Sequence, residues 1–128
     1  MNYWALTVSV VVAFLASAIY YTSLAAQLAR FSPAAAGGAT KPGLAQVATE
    51  ILRNLVLALV IVFLVQRLGT AGWSDAIRLA LLLWIGFPAV LLSGSVIYEK
   101  VPWQLAAIHA GDWLVKLVLI TSIITIWR

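Results

Sequence analysis

The chain has 128 residues, 64% of them hydrophobic and 9% charged, with a mean hydropathy of +1.06. That is more apolar surface than a soluble domain of this length buries, so its solvent is expected to be largely lipid. The formal net charge of +4 rests on eight Lys and Arg against four acids. These are too few and too scattered for a nucleic-acid footprint, and nucleic acid is excluded as a partner. With no cysteine there is no disulfide framework, no thiolate nucleophile and no Cys-based metal or iron–sulfur site.

The first apolar run, about residues 4–27, is close to the roughly 20 residues a helix needs to cross the hydrocarbon core. It opens on Asn2-Tyr3-Trp4, an aromatic start suited to an interfacial anchor. Ala16-Ser17-Ala18 resembles a signal-peptidase site, yet no Lys or Arg precedes it, so a retained span is the expectation. Small residues Ala13, Ala16, Ser17 and Ala18 allow close helix packing or dimerisation. The stretch from Arg30 to Gly43 holds Pro33, Gly37, Gly38, Lys41 and Pro42, cannot continue a helix, and reads as the longest loop.

A second span is expected over about 44–66. Arg67 and Gly69 then stop it, and Ser74 followed by Asp75 reads as the N-cap of the next helix. The third span, about 75–97, contains Pro88 between Gly86 and Gly94, where a kink is expected. The break Tyr98-Glu99-Lys100-Val101-Pro102-Trp103 is short, and its proline suits the first turn of a fourth span, about 103–127. The fold class expected is all-α, with residues 1–128 forming one integral membrane bundle of four transmembrane helices. They make two antiparallel hairpins, with both termini on the same side.

Trp4, Trp73, Trp103 and Trp127, four of the six tryptophans, fall at span ends, where an amphipathic ring prefers the headgroup level. Let side A bear the termini and the second loop, and side B the first and third loops. Arg67, Arg78 and Arg128 on side A balance Arg30, Lys41 and Lys100 on side B, so the positive-inside count leaves orientation open.

Five ionisable residues fall inside spans: Glu50 and Arg53 in the second, and His109, Asp112 and Lys116 in the fourth. Each ionised group near mid-bilayer costs about 2.5–3.5 kcal/mol on insertion scales. At about 100° per residue the fourth-span trio falls within an arc of roughly 60°, and Gln46, Glu50 and Arg53 share a face likewise. Glu50 and His109 each lie about 9 Å inside a span that starts on side B, so they are expected at similar depth. The pairs Glu50–His109 and Arg53–Asp112 then become available across the helices. The four formal charges of Glu50, Arg53, Asp112 and Lys116 sum to zero, which low-dielectric burial favours. Ser17, Tyr20, Tyr21 and Gln27 from the first span, and Ser93, Ser95 and Tyr98 from the third, are expected to complete a polar layer in the side-B half. The side-A half is far more apolar.

One reading makes these charges fasteners between the helices of a non-catalytic membrane scaffold or accessory subunit, whose exposed helix faces bind another membrane protein. The other makes them a half-open pocket on side B for a small polar or ionic ligand or a proton, with Glu50 and His109 titrating. The ligand-binding residues under that reading are Glu50, Arg53, His109, Asp112, Lys116, Tyr20 and Gln46. No metal is expected, because Arg53 and Lys116 repel a cation beside the same donors. No cofactor is expected either. Catalysis by Ser93 or Ser95 with His109 and Asp112 is disfavoured, since serines in membrane helices bond to backbone. The partners expected are the lipid bilayer, a small polar ligand or proton, and a second copy of the chain, because four helices leave little room for a route within one protomer.

Several signatures together resemble a bacterial membrane family catalogued as domain of unknown function seventeen sixty-one. They are Asn2-Tyr3-Trp4, the pair Tyr20-Tyr21, Glu99 with Pro102-Trp103, the run His109-Ala110-Gly111-Asp112-Trp113-Leu114, and the closing Trp127-Arg128. Members carry Trp-Tyr followed by Ser or Thr and then Pro at the end of the first helix, where this chain has Tyr20-Tyr21-Thr22-Ser23. The resemblance implies a compact four-helix domain in a bacterial cytoplasmic membrane, and it carries no substrate or catalytic residue with it.

Overall fold

The computed structural model describes residues 2–31 and 43–127. Pro33, Gly37, Gly38, Lys41 and Pro42 of the expected first loop lie outside the described residues, as does Arg128. Helix α1 runs Tyr3–Ser23, and a short α2, Ala25–Phe31, continues it past an irregular Leu24. Helix α3 spans Leu44–Leu68. The third span, Gly72–Tyr98, is α4 (Gly72–Trp84), a π-helical turn (Ile85–Ala89) and α5 (Val90–Tyr98). Helix α6 is Trp103–Ile126. Four helical spans are thus long and apolar enough to cross a membrane, and the molecule is a multipass membrane protein.

Local chemistry explains the boundaries. Asn2 caps α1, its Oδ1 accepting from the N–H groups of Trp4 at 3.0 Å and Ala5 at 3.2 Å. Its Nδ2 donates to the Trp127 carbonyl at 3.2 Å, which ties the two described ends together on side A. Gly69 ends α3 in the left-handed region at φ 65°, and Thr70 N–H returns to the Val65 carbonyl. Ser74 is not the N-cap of the third span. Gly72, at φ 78°, lets the chain reverse sooner, so the helix starts there. The Asp75 carboxylate reaches back to accept from Ala71 N–H at 3.2 Å. Pro88 sits inside the π-helical turn, where an i→i+5 pattern accommodates the N–H that proline lacks.

Helix α6 is the hub. It packs against α1, α3 and both halves of the third span, whereas α1 and α3 pack on each other and on α6. No Cα of the third span comes within 8 Å of α1 or α3, so the third span leans on α6 alone. The core lies in the side-A half. On α1 the small residues Ala5, Ser9 and Ala13 recur every fourth position and are buried, opposite Ala58, Ile61 and Val65 of α3 and Ile120 of α6. Toward side B the burial on α1 stops at Ala13 and on α3 at Asn54, which leaves the side-B half open. Trp4, Trp73, Trp103 and Trp127 are exposed at the span ends, consistent with aromatic belts.

Candidate functional site

The charges form one alternating chain across α6 and α3. Lys116 Nζ lies 3.1 Å from Asp112 Oδ2 and 3.9 Å from Glu50 Oε2, and Glu50 Oε1 takes a 2.5 Å contact from Arg53 Nη1. Exposure rises along it, with side chains 4% exposed at Asp112, 7% at Lys116, 38% at Glu50 and 58% at Arg53. The inner pair is buried and the outer pair is open, and both pairs line one cavity. Asp112 is further held by Ser17 Oγ, which donates to Oδ1 at 2.6 Å. Lys116 Nζ stands 5.5 Å from the centre of the Trp113 ring, within cation–π range.

The pairs expected from depth alone do not form. Neither Glu50–His109 nor Arg53–Asp112 is an ion pair among the described residues; Glu50 and Arg53 meet on their own helix at i, i+3, and Lys116 joins the two helices instead. The reason is side-chain direction. A helical side chain leans toward its helix N-terminus, so the long stem of Lys116 descends toward side B. There it reaches both Asp112, one turn earlier, and Glu50.

His109 Nδ1 is hydrogen-bonded to Tyr21 Oη at 2.8 Å. Tyr20 turns elsewhere: its hydroxyl donates to the Ile108 carbonyl at 2.7 Å. Gly111 makes this approach feasible, because a Cβ there would collide with the Tyr20 hydroxyl. Gln46 Oε1 accepts from the Gly43 backbone N–H at 3.1 Å, capping α3 while also lining the cavity. The third span does not join the polar layer. Ser93 and Ser95 donate to the carbonyls of Val90 and Leu91 on their own helix, and Tyr98 is exposed. Among the described residues, its one side-chain hydrogen bond to another span is Trp84 Nε1 to the Ala110 carbonyl at 2.8 Å.

Between α1, α3 and α6 lies a cavity of about 510 Å³. Glu50, Arg53, His109, Asp112, Lys116 and Gln46 all line it, together with Tyr21 and Asn54; Tyr20 does not. Asn54 was absent from the sequence-based set. It is 2% exposed and its Nδ2 has no hydrogen-bond partner. The signal for it was its place four residues after Glu50, on the same helical face. Among the described residues no three His, Asp or Glu groups converge as metal ligands.

No curated protein and no solved structure matches this chain. A family model described as "Protein of unknown function (DUF1761)" matches residues 4–125. That match takes in all four spans and every residue of the charge chain, and the protein belongs to that family.

Proposed function

We propose that this membrane protein binds a small polar or ionic ligand, or a proton, in the side-B cavity, and that the two halves of the charge chain have different tasks. Asp112, Lys116 and Ser17 fasten α1 to α6: Asp112 and Lys116 are buried, and Asp112 is bound by both Ser17 and Lys116. Glu50, Arg53 and His109 are the binding groups, because they face the cavity and remain partly exposed. The observation that carries this reading is the cavity itself, lined by the partly exposed Glu50–Arg53 ion pair and by His109. The charged residues belong to two of the four helices long and apolar enough to cross a membrane, and ionisable groups in such spans mark binding sites or ion routes. All-helical spans suit a cytoplasmic rather than an outer membrane. Transport would be the extended form of this activity, with a second copy completing the route.

The fastening observation favours a second reading for the inner half alone, a scaffold held together by its ion pair. A panel of small polar solutes tested for a rise in Tm of the purified protein, with pyranine-reported proton flux in proteoliposomes, separates the two. A ligand present at 100 times its Kd stabilises by about 2.7 kcal/mol. The expected result is a solute-dependent rise or a proton flux that Glu50→Gln abolishes in protein that still folds. No shift with any solute, and flux equal to empty liposomes, would leave only the scaffold.

A further inference from the structure

Resting on that reading, we infer that the cavity opens sideways between the second and third spans and seats an anionic amphiphile, a carboxylate or phosphate headgroup on an apolar chain. The walls carry the first part of the argument. Helices α1, α3 and α6 supply nearly all of the lining, and the third span supplies Leu92 alone. Because no Cα of the third span comes within 8 Å of one in α3, the second and third spans are not closely packed along that flank, and the flank of a membrane protein faces lipid.

The lining supplies the second part. It combines charged and polar groups, Arg53 and His109 among them, with the apolar side chains of Phe14, Leu92 and Trp113. A water-soluble ion would gain nothing from the apolar lining, whereas a headgroup with its attached chain matches both kinds of group.

The hydrogen-bond balance supplies the third. The acids are already served: Asp112 by Ser17 and Lys116, Glu50 by Arg53 and Lys116. What stays free is a donor: the Arg53 guanidinium engages Glu50 through Nη1 while more than half of its side chain remains exposed. A half-free guanidinium fits an acceptor-only head, because Arg forms its strongest hydrogen bonds with carboxylate and phosphate.

The test uses the full chain in phosphatidylcholine nanodiscs, titrated with cis-parinaric acid, a fluorescent fatty acid, and with its methyl ester. The acid should bind saturably and the ester should not. Arg53→Gln should weaken acid binding about tenfold or more, the usual scale for a hydrogen bond to a charged group. Leu92→Trp, which narrows the cavity and leaves every charge in place, should weaken it comparably, and both variants are checked for wild-type elution and helix content. Replacing part of the phosphatidylcholine by phosphatidylglycerol separates the sources: displacement of the probe identifies a phospholipid headgroup, and undiminished binding a free fatty acid. Equal binding of the ester, wild-type affinity in both variants, or a cross-linked dimer that excludes the probe would overturn the inference. If succinate raises Tm in a Glu50-dependent manner while parinaric acid fails to bind, the polar site stands and the amphiphile falls.

Discussion

Gly111 shows how one missing methyl sets the geometry of a site. It lies between Ile108, whose carbonyl accepts from Tyr20, and Asp112, which Ser17 holds, so α1 can close on α6 only if nothing projects there. Gly111→Ala places a Cβ against the Tyr20 hydroxyl and should cost about 1–3 kcal/mol, the usual range for overpacking. Adding Tyr20→Phe removes the nearest atom and should recover part of that loss. SDS titration of the purified variants measures both, and additive losses would contradict the account. The Asp112–Lys116 pair makes a sharper case, because both side chains are sealed. Lys116→Met or Asp112→Leu alone strands a buried charge, for about 3–5 kcal/mol, whereas the double variant should recover most of it. A double variant as unstable as the worse single one would show that packing, not charge, holds that position.

Among the elements, α6 carries contacts on every side and its polar residues divide by face. Counting about 100° per residue, Thr121 lies roughly opposite Asp112, turned from the cavity toward the third span. The hydroxyls of Thr121 and Thr125 are buried and have no partner. Thr121→Val keeps the shape and removes an unmet hydroxyl, so it should raise stability by about 1 kcal/mol. A loss of similar size would mean that the hydroxyl is satisfied in the membrane. The third span has only its packing on α6 and the Trp84 bond to Ala110 to hold it. Trp84→Phe should therefore lower stability by about 1 kcal/mol through the bond alone, read in the same titration.

At the scale of the whole molecule the four spans are unequal. Three of them form a mutually packed unit closed by an apolar side-A core, and the third span is attached to that unit along one helix. Amides with few surrounding contacts open first. Hydrogen exchange in nanodiscs should thus be faster over residues 85–98 than over α3 or α6, and equal protection would argue for a partner covering the third span. The same asymmetry produces the open flank through which an amphiphile would reach the cavity.

Much of this protein was legible from residue order because the controlling physics is local. Span length, apolar content and Trp placement depend on the bilayer rather than on neighbours, which is why four spans and their hairpin order follow from reading along the chain. Helical spacing likewise put Glu50 with Arg53, and His109 with Asp112 and Lys116, on common faces. Which charges pair was decided only in three dimensions, because it depends on helix separation and on the direction each stem leans. Lys116 descends to Glu50, while Arg53 stays largely exposed. The exclusion of Ser93 and Ser95 from the site arises from the third span packing on α6, and the burial of Asn54 from α3 packing on α1 and α6. No local pattern encodes that choice, since every apolar helix face is equally content with lipid or with a neighbour.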